Sequence, residues 1–84
     1  MPQFADITVE TSGKLCPVPI LELARALNGA APGALVLLVA TDPAVDPDVR
    51  AFCSATGHRL EAFESDMATY RAWVRKAGRT APRG

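Results

Sequence analysis

The chain has 84 residues, of which 49% are hydrophobic and 21% charged, and its nine basic and nine acidic residues cancel to zero formal net charge. This composition is too apolar for a disordered chain and predicts one compact domain over 1–84, with about 78–84 as a flexible tail. The neutral balance argues against a stable nucleic-acid partner. The longest apolar run, 34–40, is far shorter than the roughly 20 residues of a membrane span. Because the N-terminus also lacks a basic segment followed by an apolar one, we expect a cytoplasmic protein without membrane contact.

Hydrophobic periodicity predicts six elements in the order βαβαββ. Alternating apolar residues predict half-buried strands, spacing at i, i+3, i+4 and i+7 predicts amphipathic helices, and a run that is apolar on both faces predicts a central strand. In chain order the predicted elements are a strand over 6–10, a helix over 17–28, the central strand over 34–40, a helix over 46–56, and strands at about 58–64 and 69–76.

Turn and cap residues place the boundaries of the second half of the chain. Asp46 is predicted as the N-cap of the second helix, with Pro47 at its first position, and Gly57 is predicted to end it. The last two strands are expected to form a hairpin through a short connection at 65–67. One right-handed parallel crossover and one hairpin favour an α/β two-layer sandwich. Its mixed four-stranded sheet should carry both helices on one face.

Cys16 is the candidate functional residue, because it stands where the first strand meets the first helix. Pro17 biases Cys16 away from helical dihedrals, as an N-cap position requires, and Pro17 and Pro19 are tolerated in a first helical turn. The positive helix end and the nearby charge of Lys14 should lower the thiol pKa below the roughly 8.5 of free cysteine. Cys16 is therefore the predicted nucleophile, supported by Lys14, Pro17 and Pro19. The alternative is that a cap position merely holds a cysteine.

Two other residues that can carry chemistry are predicted to be structural. Cys53 lies in the inward stripe of the second helix and is expected to be a buried, inert thiol, with a role as a resolving thiol as the alternative. His58 is expected to bond a helix end or solvent rather than act as an acid or base. One histidine and two cysteines are too few for a four-ligand zinc site. No metal or cofactor is expected.

Trp73 marks a possible interaction surface. Arg71 and Arg75 lie two residues to either side, so all three should share the sheet face that points away from the helices. This face has two interpretations: it docks a protein or stacks on a base, or it shields the open side of the sheet.

The sequence Cys16-Pro17-Val18-Pro19 resembles the Cys-Pro-x-Pro motif that opens the first helix in the TusA (SirA-like) sulfur-carrier family. Further similar residues are Asp42-Pro43-Ala44, Asp48, Phe52-Cys53, Gly57-His58, Leu60, Tyr70-Arg71 and Val74-Arg75-Lys76. The resemblance implies a two-layer α/β sandwich and a persulfide carried on Cys16. It also implies loading by a cysteine desulfurase or a rhodanese and delivery to a DsrE-like relay protein. The pathway stays open, because Val18 stands where some tRNA-thiolation carriers have an acidic residue.

The sequence therefore predicts a sulfurtransferase-type persulfide carrier rather than a self-sufficient turnover enzyme. The implied end points are tRNA thiolation, molybdenum-cofactor assembly or sulfur oxidation. One alternative is a thiol redox protein that pairs Cys16 with Cys53, although the CxxC spacing of thioredoxin-like proteins is absent. The other is a nucleic-acid-binding or regulatory module that uses the Arg71-Trp73-Arg75 face, which the neutral charge disfavours.

Overall fold

The computed structural model of the protein describes residues 4–77, so the predicted tail at 78–84 lies outside the described residues. The elements follow the predicted order and agree with the predicted bounds to within about two residues. The strands are β1 (Ile7–Thr11), β2 (Leu35–Ala40), β3 (Arg59–Asp66) and β4 (Thr69–Arg75), and the helices are α1 (Val18–Gly29) and α2 (Val45–Thr56). No helix within 4–77 is long and apolar enough to cross a membrane.

The four strands form one mixed sheet in the order β1-β2-β4-β3. β1 pairs with β2 in parallel, and the other two pairs are antiparallel. β2 is a central strand, as its apolar sequence predicts. The register sets Thr11 opposite Ala40 at the ends of the parallel pair, so the segments that follow β1 and β2 leave the sheet at the same edge.

Both helices pack on one face of this sheet, which confirms the predicted two-layer sandwich. One buried cluster contains apolar residues of α1, α2, β2 and β4, and β1 and β3 add partly buried side chains. Each large apolar side chain removed from water stabilises the fold by about 1.5–3 kcal/mol. The fully buried members include Leu23, Leu27, Val36, Val49 and Val74.

The second helix starts earlier than predicted. Its N-cap is Ala44 and its first residue is Val45, so the prediction of Asp46 as the cap is wrong. The alanine side chain at the cap has no oxygen that could accept the free N–H groups at the start of the helix, and Asp42 supplies these acceptors instead. The Asp42 carboxylate accepts the N–H of Ala44 at 3.0 Å, and its carbonyl accepts the N–H of Val45 at 3.0 Å. Gly57 ends α2 as predicted, in the left-handed region with a φ of 86°.

The β3–β4 hairpin is tighter than predicted. Its two central residues are Met67 and Ala68, with φ angles of 53° and 65°, and the strands pair as far as Asp66 and Thr69. Two consecutive residues with positive φ give the turn whose twist matches that of antiparallel strands. The connection is therefore displaced from the predicted 65–67 to Met67 and Ala68, because β3 continues two residues further than predicted, to Asp66.

Trp73 shields the sheet face that the helices leave open. Ala72 and Val74 belong to the buried cluster between helices and sheet, whereas Trp73 does not. Trp73 is nevertheless only 5% exposed. Arg75 beside it donates to both carboxylate oxygens of Glu61, at 2.7 and 3.1 Å. The low exposure of Trp73 favours the shielding interpretation over stacking on a base, because a ring this well covered is not available to a base; docking of a protein on this face stays a prediction.

Candidate functional site around Cys16

The segment between β1 and α1 is held against the loop that follows β2. Gly13 turns the chain with a φ of 83°, in the left-handed region that favours glycine. The N–H of Lys14 donates to the carbonyl of Thr11 at 3.0 Å, and the N–H of Gly13 donates to the hydroxyl of Thr41 at 2.9 Å. Cys16 therefore stands beyond the carboxyl ends of the parallel strands, where α/β sheets commonly place their sites.

Cys16 is exposed, but it is not the N-cap of α1. The carbonyl of Pro17 accepts the N–H of Leu21 at 3.1 Å, and this first i to i+4 bond makes Pro17 the cap. The Val18 amide, at the start of the helix, donates to the carbonyl of Leu15 at 2.9 Å. The predicted cap role is wrong because the helix begins one residue later than expected.

Two carboxylates contact Cys16 instead. Its backbone N–H donates to Oδ2 of Asp42 at 2.8 Å, and its thiol donates to Oδ2 of Asp48 at 2.9 Å. Asp42 belongs to the β2–α2 loop, and Asp48 lies near the start of α2. The segment after β1, the β2–α2 loop and the start of α2 thus meet at Cys16.

These contacts raise the pKa of the Cys16 thiol. The largest cause is the hydrogen bond to Asp48, which stabilises the protonated form; partial desolvation and the charges of Asp48 and Asp42 act in the same direction. The expectation of a lowered pKa is therefore wrong. Lys14 lines a separate groove between β1 and α1, so its supporting role stays a prediction. Backbone donors, first Ala44 and then Cys16, lower the pKa of Asp42.

The surface beside Cys16 is an open, mainly apolar depression rather than an enclosed pocket. Leu15, which precedes Cys16 in the chain, has 71% of its surface exposed. Such a surface suits coverage by a large partner more than the enclosure of a small substrate. The depression is lined by Cys16, Pro17, Ile20, Asp48, Ala51 and Phe52.

The two residues predicted to be structural contact the core and the end of the sheet. Cys53 belongs to the buried cluster, and burial raises its pKa. Nδ1 of His58 accepts the N–H of Ala77 at 3.0 Å, and its ring centroid lies 6.0 Å from that of Phe52. Burial, and then the charge of Lys76, lower the pKa of His58. His58 is therefore structural as expected, although it fastens the segment after β4 rather than a helix end.

Sequence reasoning missed Asp42 and Asp48 as members of the site. Both were available from the predicted parallel pair of strands, because residues that follow such strands meet at one edge of the sheet. Asp48 lies in the first turn of α2 together with Asp46. Asp46 has a different role, since its carboxylate pairs with Arg50 at 2.6 Å on the surface of α2. Within 4–77 no cluster of potential ligands suits a metal ion.

Comparison with known proteins identifies the family. A family model described as Sulfurtransferase TusA matches residues 7–76. The chain belongs to the TusA family. The Sulfur carrier protein TusA of Pseudomonas aeruginosa is 34% identical over 76 residues, which cover 90% of this chain and 96% of that relative. The same-named protein of Pseudomonas paraeruginosa is 35% identical over 71 residues, 84% of this chain and 90% of that relative.

A solved structure supports the fold of this TusA-family chain. The crystal structure of a SirA-like protein from Desulfitobacterium hafniense superposes with a TM-score of 0.73 and covers 84% of this chain and 97% of its own. Its sequence is 22% identical, so the likeness concerns the fold. The family and the α/β architecture predicted from the sequence are thereby confirmed.

Proposed function

We propose that this TusA-family chain is a sulfur carrier that holds a transferable sulfur as a persulfide on Cys16. The observation that carries the proposal is the exposure of Cys16 at an open edge of the sheet, in a chain whose curated relatives are named sulfur carrier proteins. A carrier sulfur must be reached first by a donor protein and then by an acceptor protein. Cys16 meets this need, whereas Cys53 is enclosed by the core.

The transfer cycle requires one cysteine. In loading, the Cys16 thiol gives up its proton and the resulting thiolate attacks the terminal sulfur of a donor persulfide. The new bond joins Sγ to that sulfur, the donor's S–S bond breaks, and its electron pair leaves on the donor thiolate, which takes a proton. The Cys16 sulfur is oxidised to a persulfide while the donor sulfur is reduced by the same electron pair. In discharge, an acceptor thiolate repeats the step and returns Cys16 to the thiol.

The partners that we propose are those that the family resemblance implies. The donor is a cysteine desulfurase or a rhodanese, and the acceptor is a DsrE-like relay protein. Delivery ends in tRNA thiolation, molybdenum-cofactor assembly or sulfur oxidation. The open depression at Pro17, Ile20 and Phe52 supports this scheme, because it offers an apolar surface that a docking protein can cover next to the sulfur.

The redox alternative receives less support from the same geometry. A disulfide between Cys16 and Cys53 would require a core thiol to reach an exposed one, and both cysteines are free. A persulfide cycle leaves Cys53 in place and needs no movement of the core.

Sulfur uptake by matched variants tests the proposal. The chain is incubated with a cysteine desulfurase and ³⁵S-labelled cysteine, and protein-bound radioactivity is measured after separation without reductant. The parent chain and Cys53→Ala should take up label that dithiothreitol removes. Cys16→Ser should take up none, since serine keeps the polar group but not the nucleophile. Label on a folded Cys16→Ser chain, together with an unlabelled Cys53→Ala chain, would contradict the assignment.

A further inference from the structure

We propose that Asp48 is a specificity-determining residue of this carrier: its carboxylate restrains Cys16 in the free protein, so that sulfur enters and leaves chiefly within protein complexes. The inference rests on the proposed function of Cys16 and concerns which molecules can exchange sulfur with it. The Asp48 side chain touches the reacting atom itself, with Oδ2 2.9 Å from Sγ. A carrier needs such a restraint, because small thiols and electrophiles in solution compete with its partners.

In the unloaded protein the restraint acts on the thiol proton. The thiol donates to Asp48, and the thiolate that any electrophile requires would place a second negative charge beside that carboxylate. Asp42 adds another carboxylate, which accepts the Cys16 N–H at 2.8 Å. Reaction with small electrophiles is therefore slow at neutral pH although the sulfur is exposed.

In the loaded protein the same charge opposes loss of the sulfur. A small thiolate that attacks the terminal sulfur forms its own persulfide, and the bond from that sulfur to Sγ breaks with its electron pair on Cys16. Cys16 is then reduced to a thiolate, which takes a proton from water, and the small thiol is oxidised to the persulfide. A leaving thiolate of high pKa departs slowly, and the carboxylates also repel the incoming anion.

The other charged groups around Cys16 do not cancel this effect. α1 contributes Ile20 to the depression, and α2 contributes Ala51 and Phe52 besides Asp48, so neither helix adds a cation there. Lys14, on the segment of Cys16 itself, lines the other groove. A partner protein that covers the depression can displace Asp48 from the sulfur or neutralise it, which a small molecule does not do.

The first test is the pH profile of alkylation. In a Cys53→Ala background, the rate of Cys16 alkylation by iodoacetamide is measured from about pH 6 to about pH 11 in Asp48→Asn and in the parent. The midpoint should fall in Asp48→Asn. The rate near neutral pH should rise about threefold for each pH unit of that fall, because a tenfold gain in thiolate is partly offset by weaker nucleophilicity.

Two variants control for charge and folding. Asp46→Asn removes a carboxylate from the same turn of α2, where it pairs with Arg50, and its profile should coincide with that of the parent. Asp48→Glu keeps the charge and should hold the midpoint near the parent's. Thermal melting of each variant reports whether the fold is retained.

The second test measures leakage of the carried sulfur. Parent and Asp48→Asn chains are loaded by a desulfurase, freed of it, and incubated with excess glutathione while the intact mass is followed. Asp48→Asn should lose its added sulfur several-fold faster than the parent, whereas Asp46→Asn, which removes a carboxylate that pairs with Arg50 instead of the sulfur, should lose it at the parent's rate.

Coincident alkylation profiles of Asp48→Asn and the parent, or equal rates of leakage, would overturn the role of Asp48. If the parent acquires no sulfur from the desulfurase, the proposed function of Cys16 fails. The alkylation profiles need no sulfur donor and would then decide by themselves whether Asp48 restrains Cys16. The two failures are thus distinguishable.

Discussion

The two cysteines of this chain lie in opposite environments, one at the surface and one in the core. Cys16 is exposed in the loop beside the start of the helix, and its thiol donates to Asp48. Cys53 lies within the helix and is 6% exposed, packed into the cluster between helices and sheet. The pKa of both thiols is raised, by a neighbouring carboxylate at Cys16 and by burial at Cys53.

This difference in cause has a functional consequence. Burial disfavours the Cys53 thiolate for as long as the core is intact, so local or global unfolding is needed to relieve it. A carboxylate on an exposed surface can be displaced or neutralised by a docking partner without any change in the core. The pKa of both thiols is raised, yet the two residues can differ in reactivity. Cys53 stays inert while the core is folded, whereas Cys16 can become a nucleophile when a partner displaces or neutralises the carboxylate.

The largest expected effect is the difference in labelling of the native protein. Iodoacetamide should modify Cys16 at least about a hundredfold faster than Cys53, because an opening of the core that costs about 3 kcal/mol slows reaction by that factor. Peptide mass spectrometry after timed labelling measures both rates in one sample. In concentrated urea the two rates should approach one another. Comparable rates in the native protein would mean that Cys53 is not enclosed by the core.

A smaller effect, on the free energy of unfolding, is expected when either cysteine is replaced by serine. Cys53→Ser places a hydroxyl in an apolar cluster and should lower the free energy of unfolding by about 1–3 kcal/mol. Cys16→Ser changes an exposed residue and should alter it by less than about 0.5 kcal/mol. Urea denaturation followed by tryptophan fluorescence compares the two variants. Equal losses of stability would remove the distinction between a core cysteine and a surface one.

The sequence predicted the fold well because its signals are local and repeated. The apolar run of β2 identified a central strand, and the glycine after α2 adopts the left-handed conformation expected of a helix end. The burial of Cys53 followed from the stripe that it shares with Val49. The errors at helix starts arose because caps can be supplied from a distance. Asp42 serves α2 through its carboxylate and its carbonyl, although Ala44 holds the cap position.

The site was predicted in part, because its electrostatics depend on tertiary contacts. The motif pointed to Cys16 as the candidate, but the sign of its pKa shift depends on Asp48, which lies far from it in the chain. Local reasoning weighed a helix end and Lys14, and neither contacts the sulfur as closely as the carboxylate does. Tertiary contacts were equally out of reach on the sheet face that carries no helices. Periodicity placed Trp73 on that face, but the neighbours that cover its ring could not be inferred from spacing.

The position of the added sulfur in the unmodified chain tests the central claim most directly. Trypsin cleaves after Lys14 and Arg25 and after Arg50 and Arg59, so the two cysteines separate into different peptides. After loading by a cysteine desulfurase and capping with iodoacetamide, the peptide 15–25 should carry one additional sulfur, about 32 Da. The peptide 51–59 should carry none. An additional sulfur on 51–59, with 15–25 unmodified beyond its cap, would contradict the assignment of Cys16 as the carrier.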